Sequence, residues 1–253
     1  MADTPRIWTA ALIVIGDEIL SGRTEDRNVA QVARWLNLQG IRLSEVRIAP
    51  DEEQAIVGAV NSLRQVHDYV FTTGGIGPTH DDITVDSIAA AFEVPVIVHP
   101  DARRLLEDYY RDRDSGLTEA RLRMARVPAG AELIPNPTSG APGVRIGNVF
   151  ILAGIPNVAK AMLEALEGKL EGGRPIVSVT VRAHAAESEV AELLKQVQDE
   201  NPGVSIGSYP FYRDGGFGAD FVLRSEDEDL AKRCAELLGK RLKKAGIELA
   251  RDQ

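Results

Sequence analysis

The sequence predicts an α/β protein with a largely parallel sheet, followed by a small α+β unit. Short apolar runs that suit strands buried on both faces, such as residues 9–15 and 70–73, alternate with amphipathic helical patterns over the first two thirds of the chain. A glycine-rich turn follows the second of these strands. Beyond residues 171–175, which include two glycines and a proline, the pattern changes to strand, helix, strand, strand, helix.

The first two predicted strands are each followed by a turn and a helix. The apolar run of residues 9–15 ends in a turn over residues 16–22, and a helix begins at Asn28 and stops at Gly40. Residues 41–48 form the second predicted strand. A helix through Leu63 follows it, with Asp51 near its start, where an acid interacts favourably with the helix dipole.

Residues 69–84 are the stretch around which the chain is organised. The β-branched and aromatic residues 70–73 predict a central strand, and a helix is expected to begin at about Asp82. Between them, Gly74, Gly75 and Gly77 allow a sharp turn. Alanine at Gly75 or Gly77 is predicted to damage ligand binding more than folding, and it would add strain if these positions need positive φ. Free amide groups at the start of this helix predict an anion site in the turn.

Two acids stand beside this predicted anion site. Adjacent carboxylates near a phosphate suit a divalent cation, so Asp81 and Asp82 are candidate metal ligands. A purely structural turn is the alternative, in which Asp82 caps the helix. The polar cluster that follows the glycines, at the carboxyl end of a strand where open α/β sheets bind ligands, favours a site.

The region between the glycine turn and residue 172 contains further candidates. Residues 118–126 are predicted as a helix, and one of its arginines Arg121, Arg123 and Arg126 could reach a phosphate instead of only complementing the helix dipole. Residues 133–144 are predicted as a shaped loop because of their prolines and glycines. Residues 149–152 form the last predicted strand of the sheet, before a helix that opens near Pro156.

The predicted domains are residues 1–172 and 173–253. In the second domain the element order suggests a ferredoxin-like or KH-like unit. Its aromatic residues are predicted to form core, a subunit contact or a lid over the neighbouring site: Tyr209, Phe211, Tyr212 and Phe217.

The string GGIGPTHDDIT, residues 74–84, resembles the signature of the molybdopterin-binding domain superfamily. This superfamily includes MogA and MoeA proteins, the amino-terminal domain of CinA, and a module of FAD synthases. The resemblance implies a three-layer α/β/α, MogA-like fold for the first domain. Asn-Pro-x-x-Gly-x-Pro-Gly at residues 136–143 is similar to the CinA and FAD-synthase branches. Ala153 and Val158 depart from the CinA pattern and favour the FAD-synthase-like branch.

The resemblance also implies site residues. Gly-Asp-Glu-Ile-Leu-x-Gly at residues 16–22 is similar to segments of MoeA and CinA, which makes Glu18 a catalytic and metal-binding candidate beside Asp82. Asp51 is a catalytic candidate because the MogA branch has a functional aspartate in a similar Pro-Asp context. The candidate ligand- and phosphate-binding residues are Gly74, Gly75, Gly77, Pro78, Thr79, Asn28, Asn136, Ser139, Gly140, Gly143, Gly154 and Pro156.

Composition restricts the class of protein. A net charge of -9 argues against a general nucleic-acid or membrane-surface binder. The single cysteine, Cys234, suits a reducing compartment, no apolar run reaches membrane-spanning length, and residues 1–6 lack the order of a signal peptide. We therefore expect a cytoplasmic protein, without nucleic-acid or membrane partners, that binds a small molecule and forms a homo-oligomer.

Two functions from different classes remain. The first is hydrolysis of a nucleotide pyrophosphate such as FAD or ADP-ribose with Mg²⁺, Mn²⁺ or Co²⁺, an activity that the CinA and FAD-synthase resemblance implies. No nucleophilic Ser, Cys or Lys is evident, so activated water is the expected attacker. The second is molybdopterin binding or adenylyl transfer at the same loop. The two ligand classes share a phosphate and a flat heterocycle, so the residues alone leave both open.

Overall fold

The computed structural model describes residues 6–113, 116–213 and 216–250, and the chain divides into two compact units, residues 1–173 and 174–253. The elements of the first unit are β1 (Trp8–Ile15), α1 (Asp17–Leu20), α2 (Asn28–Leu38), β2 (Ile41–Ala49), α3 (Glu53–Leu63), β3 (Tyr69–Thr73), α4 (Thr84–Ala91), β4 (Val96–Val98), α5 (Pro100–Tyr110), α6 (Glu119–Leu122), a 3₁₀ helix (Arg123–Ala125), β5 (Arg126–Pro128), β6 (Glu132–Ile134), β7 (Gly143–Ile146), β8 (Val149–Leu152) and α7 (Pro156–Glu164).

A six-stranded sheet with the order β2-β1-β3-β8-β7-β6 forms the centre of the first unit. β2, β1, β3 and β8 run parallel, while β7 and β6 are antiparallel to their neighbours. All five residues of β3 are buried, because both faces of the sheet are covered.

Two apolar clusters cover opposite faces of this sheet. One packs α2 and α7 against the sheet through Val32, Leu36 and Met162. The other packs α3 and α4 through Ile56, Val60 and Ile88. The predicted three-layer α/β/α fold is therefore confirmed.

The order of the strands determines where a ligand can bind. From β1 the chain passes through α2 to β2 on one side, and then through α3 to β3 on the other side of β1. The crevice between β1 and β3 lies at this reversal, and open α/β sheets bind ligands there, at the carboxyl ends of the strands. The loops that begin at Gly16 and Gly74 leave these two strand ends.

Three local predictions for the first unit were wrong. The turn expected at residues 16–22 contains the one-turn helix α1. The helix expected over residues 118–126 ends before Arg126, which starts β5 and pairs with β4, because Pro128 disfavours helix in this segment. The loop expected over residues 133–144 is a loop only at its centre, since its ends belong to the antiparallel pair β6 and β7.

The second unit consists of β9 (Val177–Ala183), α8 (Glu187–Glu200), β10 (Ser205–Arg213), β11 (Gly216–Ser225) and α9 (Glu228–Lys244). Its sheet has the order β10-β11-β9 with antiparallel neighbours, so β9 and β10 are parallel with β11 between them. This split β-α-β arrangement is the ferredoxin-like alternative. A backbone bridge from Ala183 to Leu249 places residue 249 beside β9.

Three of the four aromatic residues singled out above in the β10–β11 hairpin are not core. Tyr209, Tyr212 and Phe217 are 47%, 77% and 57% exposed, which contradicts the core alternative for these three side chains. The core of this unit instead contains Val190, Phe221 and Leu238. Across the described ranges, no helix is both long and apolar enough to cross a membrane.

Candidate functional site

Three loops meet at the carboxyl ends of β1, β3 and β8. A Cβ atom added to Gly74 would lie 2.0 Å from the carbonyl oxygen of Ile15, and one added to Gly154 would lie 3.2 Å from the Cα atom of Gly74. Asn28 at the start of α2 is buried and donates from Nδ2 to the carbonyl oxygen of Gly154 at 2.7 Å. Gly74, Gly154 and Asn28 therefore hold the three loops together, and Gln31 adds a bond to the carbonyl oxygen of Pro156.

The glycine turn is tied to the first residue of α4. Gly74 and Gly75 have φ values of 103° and 64°, in the region that favours glycine. Thr84 is fully buried and donates from Oγ1 to the carbonyl oxygen of Gly74 at 2.9 Å. Its backbone N–H donates to the carbonyl oxygen of Gly75 at 3.0 Å. Of the two glycines Gly75 and Gly77, only Gly75 therefore meets the condition of positive φ.

A narrow cleft lies between the glycine turn, the start of α4 and the 3₁₀ helix. It has an interior of about 20 Å³, room for one water or one phosphate oxygen. Val85 and Asp86, in the first turn of α4, line the cleft. The N–H groups of a first helical turn have no partner within the helix. The remaining lining residues are Gly75, Ile76, Gly77, Asp82, Arg123, Met124, Arg126, Pro142 and Val144.

Asp82 lies in this cleft and does not cap α4. The helix begins at Thr84 without a side-chain cap, so the capping alternative is wrong. Instead, Oδ2 of Asp82 accepts the Thr79 N–H at 2.8 Å and the Thr79 Oγ1 hydroxyl at 2.5 Å. These two bonds hold the carboxylate beside Gly77, whose added Cβ would lie 2.6 Å from the same oxygen. Pro78 and Thr79 are exposed at the rim.

The charges of three other carboxylates act on Asp51, which follows β2 beside the end of β1. Oδ2 of Asp51 accepts the Asp17 N–H at 3.0 Å. Burial raises the pKa of Asp51, the Asp17 N–H bond opposes this, and the charges of Asp17, Glu18 and Asp81 raise it further. The carboxylate of Glu18 lies over the Cα atom of Gly16. Sequence reasoning did not select Asp17, and its position beside Glu18 was the only available signal.

The loop of residues 135–142 is held by one buried side chain. Nδ2 of Asn136 donates to Ser139 Oγ and to the Ala141 carbonyl oxygen, both at 2.7 Å, and its Oδ1 accepts the Thr138 N–H at 3.0 Å. Gly140 has φ 74° and packs against the ring of Tyr109, while Gly143 packs near Met162. The amide of Asn136 and the hydroxyl of Ser139 are thus engaged within the loop.

An open cavity of about 790 Å³ lies on the other side of this loop, between α5 and α7. Its walls are largely apolar, and a pocket of this size and character suits a flat heterocycle. The lining residues are Leu105, Asp108, Tyr109, Leu133, Pro135, Asn136, Pro137, Gly140, Ala161, Glu164 and Ala165.

Comparison with protein families identifies the first unit. Residues 11–171 match the model described as "Probable molybdopterin binding domain", which is more than half of the chain. The chain belongs to this molybdopterin-binding family. Residues 175–250 match the model described as "FAD synthase, middle domain". The predicted resemblance to both groups is confirmed.

Proteins of other organisms match most of the chain. A protein of Aeropyrum pernix is 36% identical over 219 residues, 83% of this chain and 81% of its own length. A protein of Thermoplasma acidophilum is 30% identical over 249 residues, 90% and 94% of the two chains. The crystal structure of the protein CinA with unknown function from Thermoplasma acidophilum has a TM-score of 0.59 and 34% identity, and covers 64% of this chain and 98% of that one.

The candidate ligands for the predicted divalent cation are carboxylates, which are chemically suited to it. Carboxylates are the ligands that Mg²⁺ and similar hard cations take, and the mutual repulsion around Asp51 is what a bound cation would relieve. Within the described part of the chain, no three His, Cys, Asp or Glu side chains already converge on one point. Glu18, Asp81 and Asp82 would therefore have to move together to bind the ion.

The two glycines of the turn are expected to respond differently to alanine. Gly77→Ala would displace the Asp82 carboxylate, a flexible group, so ligand binding should weaken about tenfold or more while the melting temperature changes little. Gly75→Ala adds strained φ and a contact of 2.2 Å with the buried Thr84 Oγ1, so it should destabilise the fold by on the order of 2 kcal/mol. Calorimetric ADP binding and thermal melting separate the two effects. Equal loss of stability in both variants would contradict this.

The raised pKa of Asp51 predicts a pH-dependent gain of stability in Asp51→Asn. A raised folded-state pKa means that protonation favours the fold, so this contribution is complete below the unfolded pKa of about 4 and is lost as the pH rises through the folded value. The substituted amide keeps an oxygen that can accept the Asp17 N–H. We expect the variant to melt up to about 2 °C higher at neutral pH, with no gain in acid.

Thermal melts of wild type and Asp51→Asn between pH 3.5 and 7.5 measure this difference. Asp199→Asn is the matched control, because its carboxylate is exposed and pairs with Lys195. A gain that is the same at every pH would refute the assignment of charge repulsion to Asp51.

Proposed function

We propose that this protein hydrolyses the pyrophosphate bond of a dinucleotide such as FAD or ADP-ribose with a divalent cation. One observation carries the proposal. Several carboxylates act on Asp51, and an anion-sized cleft lies at Gly75 and Gly77, both beside the same reversal of strand order. Phosphoryl transfer needs positive electrostatics for the phosphate and acids for a metal ion within the same crevice. The match to the FAD synthase middle domain supports a nucleotide as the substrate class.

In this proposal the chain binds and orients the pyrophosphate. The N–H groups at the start of α4 and the glycine turn would receive a phosphoryl oxygen, and Thr79 keeps the Asp82 carboxylate in the cleft. Glu18, Asp81 and Asp82 would hold the cation. A divalent cation, when bound, offsets phosphoryl charge and lowers the pKa of a water bound to it.

Asp51 is the proposed proton acceptor. Its Oδ2 is occupied by the Asp17 N–H, so Oδ1 would take the proton from the attacking water. A raised pKa suits this role, because general bases work best when their pKa lies near the operating pH. The water oxygen bonds to one phosphorus, the bridging P–O bond breaks, and FAD gives FMN and AMP.

The test is turnover of FAD and of ADP-ribose by the purified full chain with Mg²⁺, Mn²⁺ or Co²⁺, with products separated by chromatography. We expect AMP from at least one substrate and none after chelation of the metal. Glu18→Gln, prepared in the same way, controls for a contaminating hydrolase. No AMP with any of the three metals would contradict hydrolysis.

Molybdopterin binding or adenylyl transfer is the second candidate. The matched family model spans the glycine turn and the open apolar cavity, which could take a pterin. Micromolar binding of molybdopterin in calorimetry, together with no dinucleotide turnover, would establish this alternative in place of hydrolysis.

We further propose a homo-oligomer in the cytoplasm. The exposed Tyr209, Tyr212 and Phe217 on β10 and β11 are candidates for a subunit contact, and Cys234 is buried and free, which suits a reducing compartment. Size-exclusion chromatography with light scattering on wild type and Tyr212→Ser measures the contact. A monomeric wild type would contradict the oligomer.

A further inference from the structure

We infer that Arg123 is the positively charged residue that binds a phosphoryl oxygen in the cleft, and that it confers a requirement for phosphate on the ligand. This inference rests on the proposed function and adds a specificity residue to it. Arg123 lies in the 3₁₀ helix, is half-buried and lines the cleft together with Gly75, Gly77 and Asp82.

The hydrogen-bonding state of Arg123 is the main observation. Its Nε atom is buried and has no hydrogen-bond acceptor among the described residues. No carboxylate of residues 6–113, 116–213 or 216–250 forms an ion pair with its guanidinium. A buried donor without an acceptor costs about 1–3 kcal/mol, and more when it is charged, so an arginine kept in this state beside a cleft indicates an anion that completes it.

The neighbouring arginines are already engaged. Arg126 Nη2 pairs with the Asp86 carboxylate at 2.5 Å and reinforces the wall of the cleft. Arg121 donates to the carbonyl oxygen of Gly116 and lies 4.3 Å from the centroid of the Tyr110 ring. Of these three arginines, Arg123 is therefore the one that lines the cleft and has no acidic partner among the described residues.

The size of the cleft matches one oxygen atom instead of a whole nucleotide. An interior of about 20 Å³ admits a single non-bridging oxygen, with the rest of the phosphate at the mouth beside Pro78 and Thr79. The Arg123 guanidinium on one side and the amides of α4 on the other would both donate to it, and a guanidinium suits such charge-assisted contacts. The ligand class that follows is a phosphate ester or pyrophosphate with a terminal or accessible non-bridging oxygen.

Calorimetric titration with ADP, and with adenosine as the uncharged probe, tests this in the full chain, with and without Mg²⁺. We expect Arg123→Gln to weaken ADP binding at least tenfold and to leave adenosine binding unchanged. Arg123→Lys should recover only part of the affinity, because a lysine ammonium is a point charge without the planar set of donors of a guanidinium. Arg126→Gln is the matched control, expected to lower the melting temperature more and the affinity less.

The outcomes separate this inference from the proposed function. Wild-type ADP affinity in Arg123→Gln, or a wild type that does not bind ADP, overturns the role of Arg123. Arg123-dependent ADP binding without any FAD or ADP-ribose hydrolysis overturns the proposed reaction and leaves the phosphate site. If Arg123→Gln fails to fold, Arg123→Lys with a wild-type melting curve decides the same question.

Discussion

Asp82→Asn is expected to reduce kcat/KM for FAD or ADP-ribose by about a hundredfold or more while the melting temperature stays within about 2 °C of wild type. Asparagine keeps an oxygen that can accept the Thr79 N–H and hydroxyl, so the loop should hold its shape. Because Asp82 does not cap α4, the helix start is unaffected as well. What the variant loses is the negative charge in the cleft.

The measurement is kcat/KM as a function of metal concentration. Glu18→Gln should behave in the same way, and the double variant should lose less than the sum of the two single losses if both carboxylates serve one ion. Asp199→Asn in the second unit is the control for a general effect of charge. Wild-type turnover and metal dependence in Asp82→Asn would remove this residue from the reaction.

Gly74→Ala is expected to destabilise the first unit by about 3 kcal/mol or more. The φ of 103° is unfavourable for alanine, and the new Cβ would lie 2.0 Å from the Ile15 carbonyl oxygen, a backbone atom of a buried strand that cannot move aside. Gly154 packs closely against the Cα atom of Gly74, so the turn cannot relieve the contact by moving toward Gly154.

Denaturant unfolding followed by tryptophan fluorescence measures this effect in the correct unit, because both tryptophans, Trp8 and Trp35, lie in the first unit. Gly58→Ala is the matched control. Gly58 is exposed on α3 with no atom within 4 Å of its added Cβ, so the alanine should stabilise by up to about 1 kcal/mol. An unfolding midpoint for Gly74→Ala equal to wild type would contradict the close approach of β1 and β3.

Elements whose patterns are local could be predicted from the residues alone. Residues 70–73 indicate a buried strand because four successive side chains are β-branched or aromatic, and the structure has β3 there with every residue buried. The strand order of the second unit was predictable only in part, since the element order allowed both ferredoxin-like and KH-like folds. The glycine turn and the acids beside it were also evident from residue types and spacing.

Which of these polar groups act on one another depends on the packed fold. Asp17 and Asp51 are 34 residues apart and meet only because β1 and β2 are parallel neighbours. Arg126 differs from Arg123 in that it pairs with Asp86, 40 residues away. The physical reason is that helical and strand periodicity depends on neighbouring residues, whereas charge pairing and desolvation depend on distances in space that the sheet order creates. The residue pattern therefore specified the α/β elements and the glycine turn, and the packed sheet alone determined that Arg123 faces the cleft and that Asp51 lies among other carboxylates.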